Sequence, residues 1–148
     1  MPPSTDTIRE GIDATWLEEL ERNDPVTHAY ALWDLKFAPE RVRFVTLLRD
    51  GTPVAYLLIW YGVPHVPVAQ WIGLRTPHPL LLKALPDRPL IAVVPEEVAE
   101  AVRIARAPIR SYPVEVMVLG RAPRALPASP PARRLTPADT PAVRRLAE

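Results

Sequence analysis

Val42-Arg43-Phe44-Val45-Thr46-Leu47-Leu48-Arg49, then Asp50-Gly51, then Thr52-Pro53-Val54-Ala55-Tyr56-Leu57-Leu58-Ile59-Trp60-Tyr61, is the stretch whose reading decides the fold. Two runs rich in β-branched and aromatic residues flank an Asp-Gly pair, which is among the strongest short-range signals for a β-hairpin. In the first run Val42, Phe44, Thr46 and Leu48 share one face, and Arg43, Val45, Leu47 and Arg49 share the other. In the second, Val54, Tyr56, Leu58 and Trp60 alternate with Ala55, Leu57, Ile59 and Tyr61. A strand apolar on both faces is covered on both faces. The hairpin is therefore expected in the middle of a mixed, mostly antiparallel sheet of about five strands, with helices on both faces.

Upstream, residues 1–6 read as a loose tail. Residues 7–21 read as an amphipathic helix, because Ile8, Ile12, Trp16 and Leu20 recur every fourth residue with Leu17 beside them. Asp24 is an N-cap candidate with Pro25 at the first helical position. A second helix is expected to run from there to about Leu35, with Val26, Ala29, Tyr30 and Trp33 as its apolar stripe.

Downstream, Gly62-Val63-Pro64-His65 reads as a turn. Residues 66–72 are a third strand, short, bulged or at an edge because Pro67 has no backbone donor. Gly73 opens a loop to Pro79, within which Thr76 is a candidate cap for a short helix over residues 77–85. Residues 90–94 form an apolar run bounded by prolines, read as a buried strand. Val98, Ala101, Val102 and Ala105 follow helical spacing and predict a helix over residues 96–106. Residues 114–119 are the last strand of a first domain spanning 1–120. Residues 121–132, RAPRALPASPPA, form a proline-rich linker. Residues 133–148 read as a strand end leading into a helix, with Thr136 as cap and Pro137 at its start.

Composition bounds the function without naming it. The 148 residues suffice for a domain with a real core, and a net charge of +1 argues against nucleic-acid binding by bulk electrostatics. The absence of cysteine excludes a disulfide framework and a thiolate nucleophile or metal site. Neither a leader pattern nor a membrane-spanning run is present, so a cytoplasmic protein without membrane partners is expected. Asn23 and Gln70 are the only amides, and 20 prolines accompany many arginines. Those biases fit either a thermophile or a GC-rich genome.

Residues 134–139, Arg-Leu-Thr-Pro-Ala-Asp, followed by a helix, resemble the opening strand-to-helix turn of the GNAT N-acetyltransferase superfamily. The element order expected for residues 1–120 is similar to the GNAT order with its first strand absent. Asp50-Gly51-Thr52-Pro53-Val54-Ala55 stands where GNAT proteins carry a similar hairpin. The resemblance implies a degenerate N-terminal GNAT-like domain, a linker, and the first strand and helix of a second GNAT unit. It implies acetyl-CoA as cofactor of the full-length family. It also implies that the partner is a C-terminal GNAT domain or a second copy of this chain. A free-standing interaction or dimerisation module is the alternative reading.

One departure bears on activity. GNAT enzymes follow the third strand with a glycine-rich loop whose N–H groups hold the pyrophosphate of acetyl-CoA. Here the loop is Gly73-Leu74-Arg75-Thr76-Pro77-His78-Pro79-Leu80, in which Pro77 and Pro79 have no N–H to offer. Arg75 is the remaining candidate for a phosphate contact, and this chain by itself is expected to bind no cofactor and to be inactive. No catalytic constellation stands out and no histidine spacing suits a metal. Glu96, Glu97 and Glu100 read as the acidic first turns of a helix rather than a carboxylate pair. Trp60, His65, Trp71 and His78 are the candidates for a pocket or interface, with His65 and His78 on loops that would meet at one end of the sheet.

Overall fold

Asp50 and Gly51 adopt φ of 49° and 80°, so both central residues of the turn are left-handed, as a tight two-residue hairpin demands. The computed structural model describes residues 5–62, 65–106 and 113–114. Around this turn, β2 (Val42–Arg49) pairs antiparallel with β3 (Thr52–Trp60). The register shifts between Leu47 and Leu48, where Leu48 faces Pro53, a residue that cannot donate to the ladder. β1 (Asp6–Glu10) and β4 (Val68–Ile72) flank the hairpin antiparallel, and β5 (Ile91–Val93) adds to β4 in parallel. The result is a mixed, mostly antiparallel sheet in the order β1-β2-β3-β4-β5, with helices on both faces.

Two cores lie on the two faces. On one, Phe44, Tyr56, Leu58 and Ile72 pack with Leu17 of α1 (Ala14–Asn23) and Ala31 of α2 (Pro25–Phe37). On the other, Val45, Leu47, Leu57, Ile59 and Trp71 pack with Leu81 of α3 (Pro79–Ala84), Leu85, and Val98 and Val102 of α4 (Glu96–Arg106). The two-sided apolarity of the hairpin is thus used on both sides. All these elements belong to one compact unit, Met1–Pro113. The strand expected over 114–119, the linker over 121–132 and the strand-to-helix segment over 133–148 lie outside the described residues.

Several expectations are corrected. Residues 7–21 are not one helix: β1 runs antiparallel to β2 from Asp6, and α1 begins only at Ala14. Gly11, at φ 87°, turns the chain between them, its N–H donating to the Phe44 carbonyl at 2.8 Å. Asp13 caps α1 by accepting from the Trp16 N–H at 2.8 Å. The recurrence of Ile8, Ile12 and Trp16 that mimics a helix spans two elements, and β1 is held by ion pairs of Asp6 with Arg49 and Glu10 with Arg43 across the strands. The first strand, read as absent, is therefore present.

In α2 the Asp24 cap and Pro25 stand as expected, with the Thr27 N–H donating to Asp24 at 3.2 Å. The buried side is instead His28, Ala31, Leu32 and Leu35, and the stripe of Val26, Ala29, Tyr30 and Trp33 faces outward. The helix is apolar nearly all round, so composition could not say which side the sheet would cover. β4 is short but interior, and Pro67, fully buried, precedes it. α3 starts two residues later than expected, capped at His78 rather than Thr76, without a side-chain cap bond. β5 is not a buried strand: Ile91 and Val93 are exposed, and among the described residues it is the outer strand beside β4.

Candidate functional site

The turn from β4 into α3 is where an anion would be held if the chain held one. Gly73 has φ 105°, and a Cβ built there would fall 2.8 Å from the Val54 carbonyl oxygen and 2.9 Å from Ala55 Cα. Its glycine is required by a close approach to β3. Trp71 is buried in the α3/α4-side core, and its Nε1 donates to the Leu74 carbonyl at 2.8 Å, clamping the same turn. Arg75 leaves the turn toward α4, with its guanidinium 2.6 Å from Glu97. Its own backbone N–H and then Arg75 hold the Glu97 carboxyl below the usual carboxylate range. Helix α3 then starts at a proline and lasts six residues.

His78 reaches back to the start of β1, with Nε2 3.0 Å from Asp6 Oδ2. Arg49 and then His78 hold the Asp6 carboxyl down at about 2. His78 and His65 do not meet. His78 belongs to the hairpin end of the sheet, where Asp6 pairs with Arg49. His65, at φ 71°, lies in the β3–β4 connection at the opposite end, where Trp60 pairs with Val68. Trp60 and Trp71 are separated as well, since Trp71 faces the α3/α4 side with Leu57 and Trp60 shares the α1/α2 side with Leu58. Glu100 is tied to Arg103 at 2.7 Å, and among the described residues no group of three potential metal ligands occurs.

Trp60 has other company. It lines a cleft of about 240 Å³ between α2 and the sheet, together with Tyr30, Asp34, Leu58, Val68 and Gln70. Burial alone pushes the Asp34 carboxyl up from the usual carboxylate range. The sequence reading singled out Trp60 but passed over Asp34 and Gln70. The available signal was a lone carboxylate among the apolar residues of α2, one position after Trp33.

Beneath the same helix, His28 is buried and its Nδ1 shares a hydrogen bond of 2.8 Å with the Tyr56 hydroxyl. Burial lowers the His28 pKa and raises that of Tyr56, so both are neutral around pH 7. The pair is a satisfied core partnership.

No family model matches the chain, and no curated protein matches it. Among solved structures, the chain is similar to an aminoglycoside N-acetyltransferase, AAC(6')-Iy, in complex with CoA. The identity is 13%, the TM-score 0.45, and the match covers 82% of this chain and 99% of that one. The likeness is to a GNAT fold at low identity, and no residue role is carried over from it. The described elements run strand, two helices, three strands, helix, strand, helix. Among the described residues no helix is long and apolar enough to cross a membrane.

Proposed function

We propose that this chain is a GNAT-like unit that serves an acyl-CoA-dependent N-acetyltransferase as its N-terminal, non-catalytic part. The observation that carries the reading is the β4–α3 turn. Pyrophosphate capture requires several free N–H groups converging on one point. Pro77 and Pro79 remove two of them, and Gly73 is pressed against β3. Arg75 already has Glu97 as partner. One charged hydrogen bond from a released Arg75 contributes roughly 1.5–3 kcal/mol, against about 8 kcal/mol for micromolar binding. The catalytic role then falls to a C-terminal GNAT unit.

Isothermal titration with acetyl-CoA tests this. The expected result is no saturable heat in the micromolar range, and none changed by Arg75→Ala. One-to-one binding near micromolar, weakened by that substitution, would overturn the reading.

A second reading, a dimerisation module without a catalytic partner, is favoured by one observation. Val26, Tyr30, Trp33 and Phe37 form an outward ridge along α2, with Tyr30 70% and Trp33 62% exposed. Trp33 and Phe37 pack with ring centroids 4.3 Å apart, so the apolar ridge is continuous at this end. Sedimentation equilibrium separates the readings. A dimer dissociated by Trp33→Glu supports the module, and a monomer at all concentrations removes it.

A further inference from the structure

A second cleft, of about 390 Å³, lies where the last turns of α3 and α4 meet. Its apolar lining is Leu82, Leu85 and Ala105, and its charged groups are Lys83, Asp87 and Arg106. The guanidinium of Arg106 is fixed in place but short of acceptors. Its Nη2 donates to the Leu85 carbonyl at 2.9 Å. Its Nε is buried with no hydrogen-bond partner among the described residues. Its Nη1 has Asp87, whose Oδ1 is 3.4 Å away and whose side chain is fully exposed. A mostly buried cation with one short acceptor is unfavourable for the fold, because its N–H groups have given up water without replacing it. Lys83, exposed in the last turn of α3, brings a second cation to the rim.

We propose that this cleft binds a small organic monoanion, a carboxylate on a hydrocarbon body. Arg106 Nη1 and Lys83 take its charge, and Leu82, Leu85 and Ala105 cover its body. The lining selects the class. Two cations against one carboxylate leave a single positive charge unmatched. A cation would be repelled by that excess, and a neutral molecule would leave Arg106 short of acceptors. A polyanion would exceed the charge available and would face the carbonyl ends of two helices, which disfavour negative charge. The neighbouring charges do not alter this balance. Arg43, 3.4 Å from the Ala84 carbonyl, is paired with Glu10, and Arg103 is paired with Glu100. Asp87 occupies the anion's place only loosely, and a carboxylate at ordinary hydrogen-bond distance from Nη1 replaces it. The inference goes beyond the acyltransferase reading. The cleft lies at the end of α3, whereas the turn carrying Arg75 precedes its start, so neither acetyl-CoA nor transfer enters.

The lining residues can be changed separately. Lys83 and Asp87 are exposed, so substitutions there alter the charge of the cleft without disturbing the core. Arg106 also caps the end of α3 through the Leu85 carbonyl, so its removal disturbs the fold as well as the site.

The test is a ¹H–¹⁵N titration of the purified chain, followed at the Ala105 amide and at the Arg106 Nε–H, whose burial slows its exchange with water. The probes are n-hexanoate, n-hexanol and n-hexylammonium. Hexanoate is expected to give saturable shifts at both resonances, hexanol to bind weaker by roughly tenfold or more, and hexylammonium not to bind. Lys83→Gln should weaken hexanoate by about tenfold. Asp87→Asn should tighten it, because the competing carboxylate is removed. Two exposed residues without a part in binding would give neither change. The proposal is overturned if hexanoate gives no saturable shift up to about 10 mM, or if hexanol or hexylammonium binds within about twofold of it. It is also overturned if the Lys83→Gln and Asp87→Asn chains both bind hexanoate within about twofold of the parent.

Discussion

The two faces of the sheet are built from the same hairpin but differ in kind. The face under α3 and α4 is filled by aliphatic side chains and Trp71, with Leu47, Leu57, Ile59, Leu81 and Val98 all at or near zero exposure. The face under α1 and α2 carries polar groups inside its core. His28 bonds to Tyr56, and the fully buried Thr46 donates from Oγ1 to the Gly11 carbonyl at 2.7 Å. That face is also left partly open, with Asp34, Trp60 and Gln70 along a cleft. Burial on the first face is close-packed and non-directional, so it stabilises the fold. On the second, each buried polar group must find a partner, as His28, Tyr56 and Thr46 do.

Substitutions can break or sharpen this contrast. The largest effect is expected for Leu57→Asp on the closed face, which buries a charge without a partner and should abolish cooperative folding. A variant melting within a few degrees of the parent would contradict the two-faced burial of β3. Leu81→Ala, on the same face, removes the buried anchor of the six-residue α3 and should cost about 2–5 kcal/mol in urea unfolding.

Tyr56→Phe on the open face leaves His28 without its partner and should cost about 1–3 kcal/mol. The same pair predicts a pH dependence. The folded His28 pKa lies below that of the unfolded chain, so its contribution is complete above the ordinary histidine range. As the pH falls below about 6.5, the unfolded chain takes up the proton first and stability declines. His28→Gln should flatten that part of the profile; an unchanged slope would show that another group is responsible. The smallest effect is expected on the outward ridge. Trp33→Ser should change the stability of the isolated chain by no more than about 0.5 kcal/mol, because the side chain is largely in water. A loss of several times that amount would mean that the ridge is covered in solution.

Legibility in the sequence follows the range of the forces involved. Local chemistry was readable. Asp50-Gly51 forms the predicted turn, Asp24 and Pro25 open α2, and α4 occupies the 96–106 span expected from its spacing. Trp60, His65, Trp71 and His78 were chosen as aromatic or titratable residues near loops, but the sheet distributes them over opposite faces and ends. Asp34 gained its character only from the strands that α2 leaves beside it.

By itself, the sequence determined the hairpin, its need for cover on both sides, the helix starts and the prolines of the β4–α3 turn. These depend on backbone geometry and side-chain periodicity within a few residues. Tertiary structure decided that residues 6–10 are a strand, because a charged, largely exposed segment becomes β only when β2 offers its edge and its arginines. It also decided which side of an almost wholly apolar α2 is buried. That choice turns on which residues can approach Tyr56 and Phe44, a matter of packing between elements far apart in the chain.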